Sequence, residues 1–159
     1  MTQQPGTQLL ISLRPATVAD FEFAKSLYLE TTVKLLRALG PVEDKAVIER
    51  FTRAFHRNPA QVIRRDGSDI GWIQVSETDG GLHLHQLHLV GRCRNQGIGT
   101  KLIRDLMQRA FRKGAPVSLN VVRGNPAISL YRRLGFRVVG EDEEKLQMRC
   151  DPGLVPSGG

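Results

Sequence analysis

Leu82-His83-Leu84-His85-Gln86-Leu87-His88-Leu89-Val90 reads as a strand, and Arg94-Asn95-Gln96-Gly97-Ile98-Gly99 follows it within a few residues. Beyond the second glycine, Ile98, Leu102, Ile103, Leu106, Met107, Ala110 and Phe111 recur at helical spacing. The junction is therefore strand, glycine turn, amphipathic helix. Two glycines at the opening of a helix let backbone approach a ligand without a Cβ in the way. The free amides and the positive helix end then suit an anion, above all a phosphate. A lone Gly-x-Gly more often marks a tight turn that binds nothing. Other phosphate motifs do not fit: Gly99-Thr100-Lys101 has the wrong order for a P-loop, and Leu102 stands where a dinucleotide fingerprint needs its third glycine.

A second landmark lies about 30 residues downstream, in Asn125-Pro126-Ala127-Ile128-Ser129-Leu130-Tyr131-Arg132-Arg133-Leu134-Gly135-Phe136. Asn125 suits a helix cap, Pro126 the first helical position and Gly135 the C-terminal stop. Ala127, Leu130, Tyr131 and Leu134 share one helical face. By spacing alone, Tyr131 lies on the apolar stripe and reads as a core residue with a satisfied hydroxyl before it reads as a chemical one.

The rest of the chain alternates helix and strand without an internal repeat, an α/β pattern. Strands are expected at Leu9–Arg14, Gln61–Arg65, Asp69–Glu77, Leu82–Val90, Val117–Val122, near Phe136–Val139 and at Lys145–Arg149. Helices are expected from Thr17 or Asp20 to about Arg37, over Asp44–His56, Ile98–Lys113 and Pro126–Leu134. Asp66-Gly67 and Asp79-Gly80-Gly81 signal hairpins. At 159 residues one domain is expected, with an ordered core of about residues 9–150 and a flexible tail over 151–159.

Hydrophobic content of 40% and charged content of 25% are ordinary for a globular protein. No apolar run approaches the roughly 20 residues that span a bilayer, so no membrane role is expected. Cys93 and Cys150 show neither metal spacing nor a disulfide scaffold, which suits a reducing cytoplasm. The net charge of +7 suits an anionic partner, either a polyphosphate cofactor or nucleic acid. The arginines are spread, however, and aromatic content is only 6%, which argues against a single-strand stacking platform.

In their order, separation and context, the two motifs resemble those of the GNAT acyltransferase superfamily, over about Leu10 to Arg149. Gly91 and Cys93 depart from it, standing where the family often has a proline and an aromatic residue. The resemblance implies a mixed, mostly antiparallel twisted sheet flanked by helices and splayed open where acetyl-CoA enters. It places the backbone of Arg94, Asn95, Gln96, Gly97, Ile98, Gly99 and Thr100 around the pyrophosphate. Asn125, Tyr131 and Arg132 come from the second cofactor motif. It further implies a bulge around Leu87–Leu89, where a backbone N–H polarises the thioester carbonyl, and it matches Tyr131 to the general acid.

No carboxylate occupies the strand where many relatives keep a base. His83, His85 and His88 stand there instead, and histidine titrates in the useful range. His85 is favoured as the base, since it matches the place of that carboxylate and strand parity sets it with Leu87 and Leu89; water as a relay is the rival. A zinc site is not expected from this spacing. The function implied is N-acetyl transfer from acetyl-CoA to a primary amine in a ternary complex. A GNAT directed at RNA-bound amines and a non-catalytic acyl-CoA binder are the alternatives, and a homodimer is left open. Charges of both signs between Phe21 and Asn58 select no acceptor.

Overall fold

The computed structural model describes residues 10–153. Leu9, the start of the first expected strand, and residues 154–159 of the expected tail lie outside that range. Strand β1 (Ile11–Pro15) leads through a short 3-10 turn into helix α1 (Phe21–Leu39) and helix α2 (Asp44–Arg57). Strands β2 (Ala60–Arg65), β3 (Ser68–Thr78) and β4 (Gly81–Leu89) follow, then α3 (Ile98–Arg112), β5 (Val117–Val122), α4 (Ala127–Arg133), β6 (Arg137–Glu141) and β7 (Lys145–Cys150). The local signals act as expected. Thr17 forms a capping box with Asp20 ahead of α1, and Asn125 Oδ1 accepts from the Ala127 amide at 2.9 Å. Pro15 is the last residue of β1 rather than its terminator, because it pairs with Gln61 on an edge strand. Asp151 is not loose: it accepts from Arg149 at 2.8 Å and from Arg137 at 3.2 Å.

The seven strands form one sheet in the order β1-β2-β3-β4-β5-β7-β6. All neighbours are antiparallel except β4 and β5, which run parallel. Two apolar layers cover the sheet. On one face, Ile98, Ile103, Leu106 and Met107 of α3 pack on Leu84, Val117 and Leu119. On the other, Phe51 and Phe55 of α2 meet Trp72 edge-on at 5.8 and 5.7 Å, beside Tyr28 of α1.

Two irregularities shape the middle of this sheet. β4 and β5 stay paired only over Leu82↔Val117, His83↔Ser118 and Leu84↔Leu119. Against β3, the register of β4 slips by one: Val75 faces Leu84, whereas Gln74 faces Gln86. His85 is the extra residue of that bulge. A bulge bends and twists its strand, and β4 leaves β5 at this point. The bulge thus lies at His85, two residues earlier than Leu87–Leu89, because it is set by pairing with Gln74 across the sheet.

Candidate active site

The fork between β4 and β5 opens into a cleft of about 1270 Å³ that reaches α1, α3 and α4. Its wall on the β4 side is backbone. The Val90 amide donates to the Ile70 carbonyl at 2.8 Å, so the amides of residues 90 and 88 point at β3. Antiparallel strands alternate, and those of Leu87 and Leu89 therefore point the other way, into the gap that β5 has vacated. The Leu89 carbonyl does point there, accepting from Arg94 Nε at 3.0 Å.

The opposite wall is the start of α3. Gly97 caps the helix in the left-handed region, φ 83°, and no side chain caps its first amides. Asn95 just before it is also left-handed, at φ 61°. The two glycines differ in kind. Gly97 is required by its dihedral angle, while a Cβ there would meet nothing within 4 Å. Gly99 has an ordinary conformation, and its Cβ would meet only Leu87 Cδ2 at 4.0 Å, across the cleft. The protein itself would accept a side chain at 99. What the missing side chain keeps open is the groove facing the bare helix end, a place built for an anion with an attached chain.

Tyr131 projects from α4 into the same cleft. Its ring is core, 5.8 Å from Phe136 and 8% exposed. The hydroxyl makes no hydrogen bond among the described residues, yet it is not sealed: Trp72 Nε1 is the one wholly buried, unpartnered side-chain polar atom found there. The ring is therefore core, as its spacing suggests, whereas the hydroxyl lies at the cleft without the hydrogen-bond partner expected of a core tyrosine. Burial pushes its pKa up to about 12, so it stays protonated at neutral pH.

The bulge sorts the histidines. Leu82 and Leu84 before it, and Leu87 and Leu89 after it, all pack on the α3 face. His83, His85 and His88 all lie on the α1/α2 face. His85 therefore does not share a face with Leu87 and Leu89, since one extra residue reverses the parity. His85 Nε2 bonds Ser76 Oγ at 2.7 Å, and no partner for its Nδ1 occurs among the described residues. Burial first, then Arg57, lowers its pKa. His83 bonds Ser118 Oγ at 2.8 Å through Nδ1, and burial, then His85, lowers it. His88 is fully committed. Nε2 meets Gln86 Oε1 at 2.7 Å, Nδ1 meets Thr31 Oγ1 at 3.1 Å, and the ring stacks on Trp72. Burial, then Arg94, brings its pKa down to about 4. Among the described residues, no group of three His, Cys, Asp or Glu side chains is placed to hold a metal ion.

The cleft brings together His85, Leu87, Leu89, Arg94, Asn95, Gly97, Gly99, Thr100, Asn125 and Tyr131. Three expected residues stand apart. The Ile98 side chain is core, leaving only its amide near the helix end. Gln96 turns away to Arg65 at 2.5 Å and the Arg92 carbonyl at 2.8 Å. Arg132 is exposed, and its neighbour Arg133 lines the cleft instead. Arg94 is at the cleft but already engaged, donating to Glu30 of α1 at 2.9 Å. Sequence reasoning missed Tyr28, Arg50, Asn120 and Lys145, which line the α1/α2 side. Arg50 is locked to Glu144 by two bonds of 3.0 and 2.6 Å. Nothing local signals a contact between residues so far apart.

A family model described as the acetyltransferase (GNAT) family matches residues 21–136. No curated protein matches the chain by sequence. Among solved structures, the PaiA N-acetyltransferase of Thermoplasma acidophilum, in complex with coenzyme A, is 18% identical with a TM-score of 0.66, covering 89% of this chain and 98% of its own. A histone acetyltransferase HPA2-related acetyltransferase of Corynebacterium glutamicum is 20% identical with a TM-score of 0.65, covering 92% and 98%. The ribosomal-protein-S18-alanine N-acetyltransferase of Escherichia coli is 15% identical with a TM-score of 0.63, covering 94% and 99%. At these identities the likeness is one of fold.

Proposed function

Since the chain belongs to the GNAT family of acetyltransferases, we propose that it transfers an acetyl group from acetyl-CoA to a primary amine by direct attack in a ternary complex. The observation that carries this reading is the fork itself: a strand that has lost its neighbour faces a helix end that no side chain caps. Acetyl-CoA supplies the acetyl group already activated as a thioester. The uncapped amides from Gly97 to Thr100 hold its pyrophosphate, and the free amides of Leu87 and Leu89 engage the acyl-bearing arm along the open edge. The acceptor approaches from the α1/α2 side, between Tyr28, Gln86 and His85.

An amine of pKa about 10.4 must lose a proton to attack, and a thiolate of pKa about 8.5 must gain one to depart. His85, whose Nδ1 has no partner among the described residues, accepts the first, directly or through one water. Tyr131 gives the second to the departing sulfur. The two groups belong to different faces of the sheet and meet only where the fork opens. Burial raises the tyrosine's pKa to about 12 and lowers the histidine's, so both are neutral at the start, one ready to give a proton and the other to take one.

The test is calorimetric and kinetic. Acetyl-CoA should bind the wild-type protein, and release of free CoA thiol should require an added amine. Binding without release across a broad amine panel would leave a non-catalytic binder, and no binding at all would sink the reading.

A further inference from the structure

Behind His85 the cleft continues into a side chamber of about 190 Å³ under the end of α2. Its floor is the α1/α2 face of β4 and β5, with His83, His85 and Asn120, and its walls carry Arg57, Asn58 and Lys145. Leu84, His85, Gln86, Asn120 and Lys145 line both spaces, so the chamber opens onto the place where an amine would sit.

The chamber has surplus donors and cations. Two backbone acceptors of its wall are already taken: Gln74 Nε2 donates to the Ala54 and Asn58 carbonyls at 2.9 and 2.7 Å. Of the carboxylates that border the acceptor side, Glu144 is held by both nitrogens of Arg50. Glu30 is held by Arg94. Arg57 and Lys145 have no ion-pair partner among the described residues, and neither has Lys34 at the outer mouth. Both histidines of the floor favour the neutral form, so they offer hydrogen bonds while Arg57 and Lys145 supply the charge. Lys145 feels Asp142 and Glu144 nearby but is closed into no ion pair with either, and cations that line a small cavity without a paired carboxylate are where an anion gains most.

We propose that the acceptor amine carries an oxyanion, a carboxylate or a phosphonate-type group, which Arg57 and Lys145 hold in this side chamber while the amine lies at His85. This rests on the acetyl-transfer reading and narrows its substrate class. Amino-acid-like amines fit; polyamines and other polycations are repelled.

Matched pairs test it, at saturating acetyl-CoA: L-amino acids against their carboxamides, and aminoalkylphosphonates against the corresponding amino alcohols. Binding of the same compounds is measured by calorimetry on the free and the CoA-loaded protein. At least one acid should exceed its neutral partner by about 10–100-fold in kcat/KM, the size expected for a charge-assisted contact. Arg57→Gln should remove that preference, mostly through KM, and Lys145→Gln should weaken it. The carboxylate and phosphonate arms tell the two oxyanions apart. The proposal is overturned if no acid is preferred, if no acid binds the free or CoA-loaded protein, or if a polyamine is the best acceptor. Failure of the acetyl-transfer reading shows separately, as no acetyl-CoA binding or as binding with no release of CoA thiol to any amine, while the calorimetric arm still reads whether the acids bind.

Discussion

Replacing Tyr131 by phenylalanine separates the packing of its ring from the chemistry proposed for its hydroxyl. The ring stays, with its contact to Phe136 and its place in the core of the α3/α4 face. Only the hydroxyl goes, and it has no hydrogen-bond partner among the described residues to leave stranded. Loss of a typical intramolecular hydrogen bond costs about 0.5–1.5 kcal/mol; with none present, the stability change at neutral pH should fall below that range. Loss of a positioned proton donor costs about 10²–10⁴-fold in turnover. Release of free CoA thiol, followed at saturating acetyl-CoA and amine, should therefore fall at least a hundredfold while the melting temperature and acetyl-CoA affinity stay near wild type. A rate within threefold of wild type would refute the assignment.

The same group makes a second, independent forecast. Its pKa is about 12 in the folded chain and about 10 in an unfolded one. Between those values the folded state keeps a proton that the unfolded state has lost. Its contribution is complete below pH 10 and disappears as pH rises towards 12, about 2–3 kcal/mol in all. The difference in stability between wild type and Tyr131→Phe should change over that window only. A descending limb of the rate profile at pH 9–10 that vanishes in Tyr131→Phe would show that the hydroxyl is not raised by burial.

Three other outcomes are expected. Gly99→Val should weaken acetyl-CoA binding tenfold or more, read by calorimetry, with thermal stability nearly unchanged; Gly97→Val should also destabilise the fold by about 1–2 kcal/mol, since φ 83° is costly for any side chain. In kcat/KM profiles against pH, the ascending limb should lie below pH 6.5 and disappear in His85→Gln; a rate that climbs instead to the amine's own pKa, in both proteins, would favour water as relay. His88, with its folded pKa down to about 4, lends stability that is complete above pH 6.5 and is lost as pH falls towards 4, so acid denaturation of His88→Gln should show a shallower slope across that interval.

What the sequence discloses and what it hides divide along chain distance. The turn at Gly97, the cap at Asn125 and the α3 stripe are decided by residues within a few positions of one another, and all are legible as written. The side on which His85 falls is not, because the extra residue is specified by Gln74 on the neighbouring strand. The charges of the acceptor wall look mixed in sequence because their partners lie elsewhere: Glu30 meets Arg94 across 64 positions, and Arg50 meets Glu144 across 94. Once those pairs are closed, the uncompensated charge lining that side is positive. A reader of the chain alone sees both signs and can select nothing.

On the proposed reading, the bulge also lets one strand serve two substrates. In a regular strand, His83, His85, Leu87 and Leu89 would share a face, and a histidine base would point at the same layer as the cofactor-side leucines. The insertion at His85 gives the α3 face to the leucines and the α1/α2 face to the histidines. It also turns β4 away from β5, baring the Leu87 and Leu89 amides at the point where the faces are reassigned. Deleting His85 should thus do more than remove a base. It would restore the register against β3, leave His83 and the leucines on the faces they already hold, and favour continued pairing of β4 with β5. Such a variant should lose acetyl-CoA binding as well as turnover, whereas His85→Gln should lose turnover alone. If calorimetry found both variants binding acetyl-CoA like wild type, the fork would owe its opening to something other than the bulge.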